Sequence, residues 1–178
     1  FDLPHDFSSA ALREAQSWGD HVDPAESDRR EDLRSVPLVT IDGETARDFD
    51  DAVYAEPHED GFRLIVAIAD VSHYVRPDSA LDNEARERGT SVYFPTRVIP
   101  MLPHALSDNL CSLAPRVDRL CFAADMLIAK NGTLKASRFY PAVMRSAARL
   151  TYNQAYEALF EGRPAAREEL GPLVGRLL

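Results

Sequence analysis

The hydrophobic pattern is strongest at residues 62–71, which read as a strand. Residues 51–56 form a second strand candidate, and His58-Glu59-Asp60-Gly61 between them is a turn signal. Residues 36–41 make a shorter strand just ahead of this hairpin. Further on, 119–129 alternate, Asn131-Gly132 is the best hairpin turn in the chain, and 133–145 return as the partner strand. Helical signals fall between these strands. Ser8 or Ser9 caps a helix to about Trp18 that carries Ala10, Leu12 and Ala15. Ser79 caps another to about Arg88, with Gly89 as its stop. Thr151 caps a third over 152–160, ended by Gly162 and Pro164, and residues 165–178 are helical in character. The polar stretch 19–34 reads as a surface connector with one helical turn near 26–32. Residues 91–94 are short and β-like, and Pro95, Pro100 and Pro103 make the next stretch a loop. The expected fold class is α+β, a mixed or antiparallel sheet with flanking helices.

Composition narrows the setting more than the fold. The 178 residues suffice for a core, and 45% apolar with 28% charged residues is an ordinary globular balance. The longest apolar run, 64–69, is far too short to span a bilayer, so no membrane association is expected. Cys111 and Cys121 form no CxxC pair and no His is spaced with them as in a zinc site, which favours a reduced, cytoplasmic location. The chain starts on Phe1 and runs to Leu178 without a stop signal, so it reads as cut at both ends. A formal net charge of −9 argues against a free-standing nucleic-acid binder. It leaves room for an enzyme that meets phosphates through metal ions held by carboxylates.

One stretch supplies such carboxylates. Between the apolar segment 39–41 and the apolar pair Ala52-Val53, five of ten residues are acidic: Asp42, Glu44, Asp48, Asp50 and Asp51. Like charges this close repel, and apolar flanks suggest a buried framework around them, so a cation is expected to bind. Hard oxygen donors without His or Cys point to Mg²⁺ or Mn²⁺ rather than zinc. Five residues between Asp42 and Asp48 let the loop fold back on itself, and Asp50 and Asp51, if extended, face opposite ways. An EF-hand loop is excluded because its sixth position, a glycine in that motif, is Arg47 and its twelfth, a glutamate, is Val53. A solvated charged turn and a structural or regulatory cation-binding domain are the competing readings.

Three segments then resemble a known family: TIDGETARDFDDAVY at 40–54, VAIADVSHYV at 66–75 and IPMLPHALSDNLCSL at 99–113. In unbroken order over about 33–160, the chain is similar to the catalytic RNB domain of the ribonuclease II and ribonuclease R family. The resemblance implies that 1–32 are the end of a cold-shock-like domain and its connector, and 33–178 the N-terminal part of the catalytic domain. It implies a processive exoribonuclease that hydrolyses RNA from the 3′ end to 5′-monophosphates, with the 3′ end of single-stranded RNA as partner and a monomeric state. It places a magnesium site on Asp42, Asp48, Asp50 and Asp51, with Asp50 also catalytic, and RNA contacts on Tyr93 and Tyr152. An arginine for the scissile phosphate, a stacking phenylalanine and a glutamate belong to the later half of such domains, so the isolated chain is expected to have little or no activity. The alternative is a catalytically inactive RNB-like module that binds RNA or protein. Arg47 is expected to brace the loop by ion pairing, His73 and His104 to be structural, and both cysteines to be buried apolar groups.

Overall fold

The computed structural model describes residues 5–161. In chain order its helices are α1 (Ser9–Ser17), α2 (Pro24–Ser27), α3 (Val71–Tyr74), α4 (Ala80–Arg88) and α5 (Tyr152–Tyr156). Single π-helical turns occupy Leu106–Leu110 and Glu157–Glu161. The strands are β1 (Glu31–Asp32), β2 (Val39–Asp42), β3 (Asp51–His58), β4 (Gly61–Ala69), β5 (Val92–Tyr93), β6 (Val98–Ile99), β7 (Asp118–Ala129), β8 (Leu134–Arg145) and β9 (Ala148–Thr151). Seven of them form one mixed sheet in the order β1-β8-β7-β4-β3-β2-β9, while β5 and β6 make a separate hairpin. The α+β expectation holds, with antiparallel pairing through the middle and a parallel pair at each edge.

Local chemistry explains the ends of the elements. The Ser8 Oγ accepts from the Ala11 amide, and Ser79 Oγ accepts from Asp82, so both helix starts are capped as the sequence predicts. Gly89 ends α4 at φ 72°, a conformation that costs a side-chain-bearing residue energy. Glu14 of α1 reaches across to accept from the Leu81 amide, tying α1 to the start of α4. One sheet face buries Leu38, Ala52, Ile65, Ala67, Cys121, Ala123, Ala142 and Met144. The helices close a second cluster in which Ala11 and Ala15 meet Leu81, Leu106, Leu110, Leu120 and Val143. Burial pushes the thiols of Cys111 and Cys121 each up to about 12, as befits core groups rather than reactive ones.

Several expectations need correction. The helical turn in the connector comes earlier, at Pro24–Ser27, because Asp23 caps it and Pro24 suits its first position. Glu31–Asp32 is instead an edge strand, paired in parallel with Ala142 and Val143 of β8. The third helix changes from α to π geometry after Tyr156. The proline-broken stretch contains β6 and a π-helical turn, and 148–151 form β9. The helical reading of 165–178 lies outside the described residues.

Gly61 starts β4 where it lies against β7, and a Cβ there would overlap the carbonyl oxygen of Ile128. Gly61→Ala is therefore expected to destabilise the fold by about 1–3 kcal/mol, the usual cost of overpacking. Urea unfolding checks this, and an unchanged midpoint would contradict it.

Candidate active site

The acidic loop spans the gap between β2, which ends on Asp42, and β3, which begins on Asp51. Both of its limbs are pinned. On the first, Arg149 Nη2 donates to the carbonyls of Gly43 and Glu44, each at 2.8 Å. Asn153 Nδ2 donates to the Glu44 carboxylate at 3.1 Å. On the second, the fully buried Ser112 accepts from the Phe49 amide at 3.1 Å and donates to the Arg47 carbonyl at 3.3 Å. The Leu113 amide donates to Phe49 O, and the Ala69 amide donates to Asp50 O, at 2.8 and 2.9 Å. Phe49 packs its ring against the main core cluster. These contacts hold the backbone on either side of the acids while the carboxylates stay partly open to solvent.

The four aspartates act on one another. Burial, then Asp51 and Asp50, raise the Asp42 carboxyl above its usual range, while Arg149 pulls it down and Asp48 adds to the rise. Asp50 is raised by burial, then by Asp48 and Asp51. None of the four is ion-paired among the described residues. Among the described residues, no three carboxylates or imidazoles are close enough to form a finished metal shell. The donor set nevertheless fits a hard divalent cation in its chemistry: oxygen donors, mutual repulsion and no ion pair that ties up a carboxylate among the described residues.

A cleft of about 750 Å³ opens beside the loop, and Asp42, Asp48, Asp50, Tyr93, Phe94, Arg97 and His104 are among the residues that line it. Tyr93 is 65% exposed, and its hydroxyl donates to Asp48 Oδ2 at 3.1 Å. The β5–β6 hairpin thus brings this sequence-predicted residue to the acids. Asp50 lines the cleft but Asp51 does not; Asp51 pairs with the half-exposed Ile68 across the β3–β4 ladder. Tyr152 does not line the cleft either. It follows Thr151, the register partner of Asp42, and is 64% exposed at the first position of α5.

Two further expectations meet the geometry. Arg47 lines the cleft and makes no ion pair among the described residues, so the bracing arginine is Arg149. Sequence reading passed over Arg149, Asn153 and Ser112, because only the long-range pairing of β2 with β9 and the fold of the proline-rich segment bring them to the loop. His73 forms a three-ring cluster with Trp18 and Tyr74 beside Arg30, consistent with a structural role. His104 Nδ1 lies 2.7 Å from Asp108 Oδ2 on the cleft wall.

The family model described as RNB domain matches residues 30–171. The chain belongs to the RNB family. Within it, the chain is 53% identical over 176 residues to ribonuclease R of Vibrio parahaemolyticus, covering 98% of this chain and 21% of that protein. It is 52% identical over 177 residues to ribonuclease R of Escherichia coli, covering 99% and 22%. The structure of Mycoplasma genitalium RNase R in complex with ribose-methylated single-stranded RNA superposes with a TM-score of 0.82 at 35% identity, covering 87% of this RNB chain and 24% of that one. Yeast Ssd1, a pseudonuclease, shares the fold at a TM-score of 0.70 and 20% identity, over 80% of this chain and 18% of its own. The chain therefore spans about a fifth of the length of the curated relatives it matches. Among the described residues no helix is long and apolar enough to cross a membrane.

Proposed function

We propose that this RNB chain is part of a metal-dependent, processive 3′→5′ exoribonuclease that hydrolyses single-stranded RNA to 5′-monophosphates in the cytoplasm. The observation that carries this reading is the set of four aspartates, none of them ion-paired among the described residues, on a loop pinned at both limbs. Asp42, Asp48, Asp50 and Asp51 hold Mg²⁺, or Mn²⁺ in its place, and Asp50 also serves catalysis. A divalent ion at such carboxylates supplies Lewis acidity for the phosphate and lowers the pKa of a bound water. Tyr93 and Tyr152 offer exposed ring faces on which bases stack without sequence preference. Tyr93 also donates to Asp48 and so ties the stacking surface to the acids. Residues 1–32 are assigned to the end of a cold-shock-like domain and its connector, 33–178 to the N-terminal part of the catalytic domain, and the enzyme to a monomer.

The test uses the full-length protein with RNA labelled at either end, with and without EDTA. A 3′ label is expected to leave at once as a mononucleotide, a 5′-labelled strand to pass from full length to a short end product without a ladder of intermediates, and EDTA to stop both. Intact RNA that stays bound would instead favour an inactive RNA-binding module, and no metal-dependent interaction with RNA would remove the reading altogether. In the same protein, Tyr152→Ala is expected to weaken binding of a 3′ end by about 1–3 kcal/mol, the usual worth of one stacked base. Unchanged affinity for a short oligonucleotide would count against that role.

A further inference from the structure

We propose that Arg149 is a positioning residue that holds the first limb of the aspartate loop in its cation-binding shape, with Asn153 as a second anchor. The inference rests on the reading of Asp42, Asp48, Asp50 and Asp51 as a divalent-cation site.

The parallel pairing of β9 with β2 runs from Val39↔Ala148 to Asp42↔Thr151 and sets Arg149 opposite Thr40. From there a single nitrogen, Nη2, donates at 2.8 Å to the carbonyls of both Gly43 and Glu44, the two residues that follow Asp42. Four residues after Arg149, Asn153 grips the Glu44 side chain. The guanidinium carbon lies 5.5 Å from the centre of the Phe49 ring, which belongs to the other limb. Arg149 makes no ion pair with a carboxylate among the described residues, and its Nε is buried without a partner. Its bonds go instead to the backbone that sets the direction of Asp42, the work done by outer-shell partners of metal ligands elsewhere.

The sign of the effect separates positioning from charge. A guanidinium near the acids repels a second cation, so on charge alone its removal tightens metal binding. Positioning predicts the reverse. Mn²⁺ binding to the full-length protein, followed by electron paramagnetic resonance without RNA, reads the difference directly. Arg149→Met is expected to weaken Mn²⁺ binding about tenfold. Arg149→Lys should restore most of it, because one ammonium can donate to both carbonyls. Arg145→Met, which removes an exposed partner of Asp118 on β8, should leave it unchanged. Equal or tighter binding by Arg149→Met overturns the proposal while leaving the metal site standing. Absence of saturable binding by the unaltered protein overturns both. Should Arg149→Met fail to fold, Asn153→Ala removes only the exposed second anchor and is expected to weaken binding about threefold; no change there is likewise contrary.

Discussion

Replacing Asp50 with Asn in the full-length protein is expected to lower the turnover of single-stranded RNA by about 10³-fold, while RNA affinity stays within about threefold. The substitution conserves shape and removes one charge. The backbone of Asp50 is held by the Ala69 amide and its neighbour Phe49 by Ser112 and Leu113, so the loop has no reason to move. What changes is the electrostatics of the cleft. Like Asp42, Asp50 lines the cleft and has a carboxyl raised by burial and by both Asp48 and Asp51. Relieving that repulsion makes the metal-free loop more comfortable and the loaded one weaker. On the proposed reading RNA would be held largely by stacking and by phosphate contacts away from Asp50, so its affinity is expected to be spared. Single-turnover rates and filter binding on the same samples check the split; equal losses in both would contradict a catalytic role.

The second large effect concerns stability. Arg119→Met is expected to cost about 3 kcal/mol, read as a shift in the urea midpoint at constant slope. Arg119 is 7% exposed and makes no carboxylate ion pair among the described residues. Its Nε donates to the carbonyls of Asn109 and Ser112 at 2.8 and 3.0 Å, its Nη1 to Asp118 O at 2.9 Å, and its Nη2 to the Asn109 side chain. Methionine fills a similar volume but removes every one of these donated bonds from a partly buried site, although the Asn109 and Ser112 carbonyls keep the amides of Ser112 and Ala114. The damage travels, because Ser112 is also the anchor of Phe49 and Arg47 in the acidic loop. Loss of stability should therefore come with weaker divalent-cation binding in the fraction that remains folded. A change below about 1 kcal/mol would show that water replaces the lost donors.

What the sequence made legible was local. The β3–β4 and β7–β8 hairpins follow from short turns flanked by apolar runs, and the helix starts from Ser8, Ser79 and Thr151. The candidate acids were legible for the same reason, since all four lie within ten residues. What escaped depends on distant pairing. β9 is only four residues long, and nothing in Ala148–Thr151 by itself says that it lies beside Val39–Asp42. Without that pairing, Arg149 is one arginine among many, and Arg47, already inside the acidic run, is the obvious brace. Ser112 was hidden similarly, because its partners Phe49 and Arg47 lie more than sixty residues away. The π-helical turn at Leu106–Leu110 escaped because Pro103 just before it reads as a breaker, whereas its carbonyl accepts the Leu106 and Ser107 amides.

On the proposed reading Asp42, Asp48, Asp50 and Asp51 form one cation site. Calorimetric titration of Mn²⁺ into the metal-free full-length protein, beside its Asp42→Asn variant, tests it without reference to RNA. Saturable binding by the unaltered protein, weakened about tenfold or more in the variant, is the predicted result. Indistinguishable binding curves would contradict it.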